Sequence, residues 1–440
     1  MSRFLFVVPP LAGHVNPTVG VAARLVELGH EVAWAGSPEV VRQLVGPDAL
    51  VFACALPPLD GTHAGRPPDL RGVAALRFLW ERFLIPLGDA MVPGVRAAVD
   101  AFAPDVLVVD QQALAGAAVG AALGIPWATS ATTSAELAGP LADMPKVGSW
   151  LAALLAEFGA RHGVPAGHDP RFSPHLVLAF STRELVGEIR LEALGAGPSL
   201  PGVLRFVGPS IAPRPEADDG EFPWSWLASP CGSGPGRASP VRAHPQCGSG
   251  PGRASPFRAH PHPDPVILVT LGTVNADVGV RFLDACLRAL RERPGLRAVV
   301  VDPTGGVDGA PPNVLLVRRV PQLALLPHVE AVVCHAGHNT VCESLFHGLP
   351  LVVAPIRDDQ PVIAQQVVDA GAGIRLRFGR ATSDHLGRAI DEVLGQPGYR
   401  VGARRVRESF RTAGGASAAA DHLVALARRG SDRKPNPVCF

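Results

Sequence analysis

Five polar clusters stand directly behind apolar runs of strand length, and each is chemically able to act on a ligand. His14 lies in Leu11-Ala12-Gly13-His14-Val15-Asn16-Pro17, behind Phe4 to Val8. Asp110 follows Asp105 to Val109, and Gly272-Thr273 follow Val266 to Leu271. His335 follows Ala331 to Cys334, and Asp359-Gln360 come after Leu351 to Ala354. Parallel α/β sheets bind ligands outside the carboxyl ends of their strands, so the coincidences weigh more together than singly. On adjacent strands His14 and Asp110 would meet in one crevice, where a carboxylate-oriented imidazole is a general base near neutral pH. The run His335-Ala336-Gly337-His338-Asn339-Thr340 opens a helix with small and capping residues. Exposed amides at such a start make an anion site, and glycine admits close approach. Glu343, about one turn further on, is placed to accept hydrogen bonds from ribose hydroxyls. Each cluster also has a plainer reading. A lone histidine is often a hydrogen-bonded structural residue; Asp110, Thr273 and the Gly-His-Asn-Thr run could be helix caps; Asp358-Asp359-Gln360 could be a solvated turn.

These groups need strands and helices to hold them. The first half alternates buried strands (Phe4 to Val8, Glu31 to Ala35, Asp105 to Val109, Trp127 to Ser130) with helical stretches. Asn16 is expected to cap the first helix, with Pro17 at its first position and Gly29 at its end. The second half repeats the scheme with strands at Val266 to Leu271, Ala298 to Val301, Val314 to Val317, Ala331 to Cys334 and Leu351 to Ala354. Helices are expected at Val280 to Arg291 and Asn339 to Phe346. Repeated βα units imply doubly wound parallel sheets. Leu76 to Leu87, with Phe78, Trp80 and Phe83, reads as an amphipathic helix whose aromatics serve the core or a ligand pocket.

A chain of 440 residues, 47% of them apolar, has material for two cores. Its net charge of +1 argues against nucleic acid as a partner. Seven cysteines without a CxxC pair suggest neither zinc nor disulfides and fit a cytoplasmic location. The apolar N-terminus is too short to span a bilayer, so no membrane insertion is expected. There is no GxxxxGK[ST] loop, and no GxGxxG follows the first strand of either half, which excludes a Walker site and disfavours a dinucleotide oxidoreductase. Between the halves Cys231 to Gln246 recurs as Cys247 to His262 with two differences. So rich in Gly, Pro and Ser, this duplication is expected to be a disordered linker.

The segment from Val320-Pro321-Gln322 through the His335 to Thr340 run and Glu343 to Asp359-Gln360 resembles the donor-binding signature of family-one glycosyltransferases of GT-B fold. The likeness is strongest to the bacterial macrolide-type enzymes, and Gly13-His14-Val15-Asn16-Pro17 is similar to their catalytic histidine segment. The resemblance implies an acceptor domain over 1–212, a linker over 213–264, a nucleotide-sugar domain over 265–400 and a helical tail over 401–428 returning toward the first domain. A cleft between two tandem Rossmann-like domains would hold the substrates. It further implies that His14 deprotonates an acceptor hydroxyl while Asp110 holds its imidazole. Arg319, Val320 and Gln322 would face the nucleobase. His335, Gly337, Asn339, Thr340 and Thr273 would bind the diphosphate, with His335 and the helix-end amides taking the leaving-group charge. Glu343 would hold the ribose, and Asp359 and Gln360 the sugar. The reaction implied is inverting transfer from a UDP- or dTDP-sugar to a small, hydrophobic, hydroxylated acceptor, with no metal and no cofactor beyond the donor. A homodimer is allowed but not required. Three positions depart from the plant enzymes: Arg319 and His338 replace tryptophans, and Ile363 replaces an asparagine, an apolar change that suits a deoxysugar donor. Two alternatives share the architecture, a noncatalytic partner of another transferase and a nucleotide-sugar 2-epimerase.

Overall fold

The computed structural model describes residues 1–57, 67, 70–189, 200–213, 222–228, 265–272 and 278–431. Two wholly parallel sheets organise them. In the first, β1 (Arg3–Val7), β2 (Glu31–Gly36), β3 (Val51–Ala53), β4 (Val106–Asp110), β5 (Trp127–Ala131), β6 (Val177–Ala179) and β7 (Leu204–Phe206) lie in the order β3-β2-β1-β4-β5-β6-β7. In the second, β8 (Val266–Thr270), β9 (Arg297–Val301), β10 (Val314–Val317), β11 (Ala331–Cys334), β12 (Leu351–Val353) and β13 (Gly373–Arg375) follow the order β10-β9-β8-β11-β12-β13. Both orders reverse direction once, between β1 and β4 and between β8 and β11. Those reversals are where a crevice opens at the strand ends.

Alternate residues of β1 enter different cores, as the two-residue strand period requires. Leu5 and Val7 pack under the helical rod Gly72–Phe102, with Trp80, Leu84, Leu87 and Met91. Phe4, Phe6 and Val8 face the opposite layer with Val15, Val21 and Leu25 of the Ala12–Glu27 helix. Trp80 and Phe83 are buried, so of the two roles open to these aromatics the structure uses the core.

Two local expectations are corrected. The first helix starts at Ala12, not behind an Asn16 cap, because the Leu11 carbonyl already accepts the amides of His14 (2.9 Å) and Val15 (3.1 Å). Pro17 therefore lies inside the helix, and the segment Phe222 to Ala228, expected to lack structure, includes the short helix Trp224–Ala228. Phe222 and Trp226 enter the second domain's core, and the Arg297 guanidinium stacks 4.1 Å from the Trp226 ring while donating to the carbonyls of Trp226 and Leu227. Three aromatics within five residues supply the burial that the rest of the segment's composition lacks. The duplicated repeat and Thr273 lie outside the described residues.

The C-terminal region is two helices. Pro397–Ala413 places Ala403, Val406 and Phe410 in the second domain's core. Gly414 and Gly415, at φ of 88° and 58°, then turn the chain in the left-handed region where glycine carries no Cβ penalty. Gly415–Ser431 lays Ala419, Ala420, Leu423, Leu426 and Ala427 on the first domain. Among the described residues no helix is long and apolar enough to cross a membrane.

Candidate active site

The reversal in the first sheet brings the end of β4 beside the loop behind β1, with Val7 in register with Val109. His14, in the first turn of the Ala12–Glu27 helix, thereby meets Asp110, the last residue of β4. Its Nδ1 lies 3.0 Å from both carboxylate oxygens. Asp110 is buried and also accepts the Gln112 amide at 2.8 Å. A carboxylate can only accept, so Nδ1 carries the proton and Nε2 keeps its lone pair. Burial works against the imidazolium, but the Asp110 charge and hydrogen bond, with the Asp359 and Glu136 charges, outweigh it and raise the His14 pKa above its ordinary value. The Thr132 hydroxyl completes the group, donating to Asp110 Oδ2 at 2.7 Å and lying 2.8 Å from His14 Nδ1.

Across the crevice the second sheet's reversal sets β11 against β8, with Cys334 in register with Thr270. His335 follows directly, its ring packed between Gly272 and Gly337, where a Cβ on either glycine would overlap it. Ala336 adopts a φ of 65°, a left-handed conformation that an alanine holds only at a cost. The helix His338–Phe346 begins immediately after, and its N-cap residue, Gly337, has no side chain to cap it. Burial drives the His335 pKa down to about 4, so its imidazole is neutral. In that form it can donate a hydrogen bond to an anion. Its Nδ1 is buried without a hydrogen-bond partner among the described residues.

The other expected residues divide. Gln322 Nε2 donates to Glu343 Oε2 at 2.6 Å, so the two lie together at the start of the Gln322–Leu325 helix. Arg319 is exposed, whereas Val320 packs against the second domain's core. Thr340 is buried, and its carbonyl accepts the Ser344 hydroxyl. Gln360 turns inward, with Oε1 accepting the amides of Ile356 (2.9 Å) and Arg357 (3.0 Å), so that oxygen shapes the loop instead of facing the crevice. Ile363 is fully buried in the core, which removes the argument from its side chain to a deoxysugar. No group of three or more His, Cys, Asp or Glu able to hold a metal occurs among the described residues.

Hydrogen bonds cross between the domains at this point. Asn339 Nδ2 donates to the Gly13 carbonyl at 3.0 Å. Pro17 has no N–H to offer that carbonyl four residues back, so a side chain of the other domain takes up the acceptor. The Thr133 hydroxyl donates to Asp359 Oδ2 at 2.7 Å, and the Ser134 hydroxyl to Gln366 Oε1 at 2.8 Å. Burial raises the Asp359 pKa, opposed by the Thr133 bond. His338 lies 3.3 Å from the Phe180 carbonyl and is likewise driven by burial down to about 4. Thr132, Thr133 and Ser134 are the residues that the sequence did not single out. They follow β5 directly, the strand-end position that located His14 and Asp110, but hydroxyl residues there read equally as turn formers.

The chain is similar in sequence and fold to known proteins. Residues 299–426 match the family described as "Erythromycin biosynthesis protein CIII-like, C-terminal domain". The chain is 29% identical to 4'-demethylrebeccamycin synthase of Lentzea aerocolonigenes over 93% of its own length and 96% of the relative's. It is 27% identical to demethyllactenocin mycarosyltransferase of Streptomyces fradiae, covering 97% of this chain and 87% of that one. The solved glycotransferase of kitacinnamycin superposes with a TM-score of 0.71 at 24% identity, across 97% of this chain and 98% of that one.

Proposed function

We propose the following chemistry for this chain, which is a nucleotide-sugar glycosyltransferase of GT-B fold and natural-product type. An acceptor hydroxyl binds beside His14, and a UDP- or dTDP-sugar lies against the second domain with its diphosphate at the start of the His338–Phe346 helix. His14 Nε2 takes the hydroxyl proton as the acceptor oxygen forms a bond to the anomeric carbon. The bond from that carbon to the diphosphate oxygen breaks in the same step, and the nucleoside diphosphate leaves with the electron pair. Attack opposite the leaving group inverts the anomeric centre. Asp110 keeps the Nδ1 proton and stabilises the imidazolium. The amides at the helix start, with the neutral His335 imidazole as a donor, receive the charge on the diphosphate, so the reading assigns no step to a metal or added cofactor.

The observation that carries this reading is the opposition of the His14–Asp110 pair to the His335–Gly337 turn, with Asn339 joining the two sides through Gly13. Glu343, held by Gln322, is proposed to bind the ribose, and Asp359 the sugar hydroxyls. The mycarosyl transfer in one relative's name supports a deoxysugar donor and a hydrophobic, hydroxylated acceptor. The test is transfer from dTDP- and UDP-sugars to phenolic probe acceptors, with and without a metal chelator. A β-linked product from an α-linked donor in chelator is expected; retained configuration or loss of activity in chelator would overturn this mechanism.

A further inference from the structure

Beyond the reacting groups, one carboxylate near them has no part in the chemistry above. Glu136 stands four residues past Thr132, in the turn Glu136–Ala138 that follows β5. Arg171 Nη1 donates to its Oε2 at 3.1 Å. Arg171 is itself held by both oxygens of Asp169 (Nε to Oδ1 at 3.0 Å, Nη2 to Oδ2 at 2.6 Å) and lies 5.8 Å from the Trp80 ring and 5.4 Å from that of Phe172. The carboxylate is therefore fixed by a buried guanidinium that cannot easily move. Its second oxygen, Oε1, makes no hydrogen bond among the described residues, and the side chain keeps 16% of its surface exposed, which leaves that oxygen open to a ligand. Two carboxylates and one guanidinium leave the trio with one net negative charge. Thr132, whose hydroxyl touches both His14 and Asp110, precedes Glu136 by only four residues, so Glu136 stands close to that pair, and its charge favours the imidazolium. Burial raises the Glu136 pKa and Arg171 opposes that rise, and a ligand group that donates a hydrogen bond to a partly buried carboxylate gains more than it would in water.

We infer that Glu136 is a specificity-determining residue of the acceptor site: its free Oε1 receives a hydrogen bond from a second donor group of the acceptor, a hydroxyl or an ammonium, while the reacting hydroxyl sits at His14. Arg171 and Asp169 are positioning residues for that oxygen. The inference rests on the proposed acceptor site beside His14, and it adds a polar requirement to a pocket otherwise expected to select apolar molecules.

The test compares three probe acceptors of similar size, 4-ethylphenol, 4-(hydroxymethyl)phenol and 4-(aminomethyl)phenol, with the wild-type chain, Glu136→Gln and Glu136→Ala. The wild type should favour the two donor-bearing phenols over 4-ethylphenol by about tenfold in kcat/KM. Glu136→Ala should abolish that preference, read as the ratio of kcat/KM to that for 4-ethylphenol in the same protein, and thermal unfolding identifies any variant that fails to fold. Glu136→Gln keeps an amide oxygen and a partner for Arg171, so it separates the two sources. Retained preference for the hydroxymethyl compound alone identifies neutral hydroxyls as accepted there, and loss of the aminomethyl preference identifies an ionic contribution. An acceptor ranking that is the same in all three proteins overturns the inference. Absence of transfer to every probe by the wild type overturns instead the acceptor-site reading beneath it.

Discussion

At the residue scale the account turns on one histidine whose two nitrogens have different work. Nδ1 is committed to Asp110 and Thr132, and Nε2 is the nitrogen proposed to take the acceptor proton. Replacing His14 with alanine is expected to lower kcat by about 10²–10⁴-fold while nucleotide affinity, measured by calorimetry, stays within about twofold. The raised pKa gives the pH dependence its sign. The proposed base must start as the neutral imidazole, so activity is expected to fall as pH drops, and the acidic limb of kcat/KM should lie above histidine's ordinary value of about 6.5. Asp110→Asn removes the largest influence favouring the imidazolium, so the limb should move to lower pH in the variant's residual rate; an unmoved limb would separate Asp110 from the titration. His14 and Asp110 were legible in the sequence because each stands behind a strand-length apolar run and their strands are neighbours. Thr132 was not, since a threonine after a strand looks the same whether it orients a carboxylate or caps a turn. Glu136 and Arg171 lie 35 residues apart, and only the fold brings them together.

At the element scale, glycines decide how closely parts approach. Gly337 lets the His335 ring lie against the first turn of the His338–Phe346 helix, and a Cβ there would overlap the imidazole. Gly337→Ala should therefore weaken nucleotide binding by about tenfold or more, roughly 1.4 kcal/mol, with little change in acceptor KM. Unchanged nucleotide affinity would place the diphosphate elsewhere. The strands were largely readable, since buried parallel strands present continuous apolar runs. β3, β6, β7 and β13, each three residues long, were missed, whereas the equally short β12 was found because the apolar run continues into Ala354. The start of the first helix was misjudged for a definite reason. Asn-Pro is a good opening pair locally, but the Leu11 carbonyl nucleates the turn earlier, and the carbonyl that Pro17 cannot serve is taken up by Asn339 from the other domain. No local rule contains that partner.

For the whole molecule, the Gly414-Gly415 turn lets one tail serve both domains. Truncation after Ala413 would uncover the first-domain surface that Ala419, Leu423 and Leu426 cover, and should lower the unfolding midpoint measurably. Deletion of residues 231–262 should instead leave midpoint and activity nearly unchanged, because Trp226 and Arg297 anchor the chain before the repeat and β8 resumes after it. Loss of folding on that deletion would show that the repeat is structural. His335 and His338 give the molecule an acid sensitivity. Both are buried and have their pKa lowered to about 4, so each takes up a proton more readily unfolded than folded. Their contribution is complete above the unfolded value near 6.5 and is lost as pH falls toward 4, by about 3 kcal/mol for each. Thermal unfolding at pH 7.5 and 4.5 should show that fall, and His338→Gln should reduce it.

The most direct test of the central claim is a single-turnover assay of dTDP-sugar transfer to a phenolic acceptor, run with wild-type protein and His14→Ala at saturating donor. The account predicts rapid β-glycoside formation by the wild type and a loss of about 10² or more in the variant, although the variant still binds dTDP. Near-normal transfer by His14→Ala would contradict it, since the crevice would then be doing its chemistry with another base.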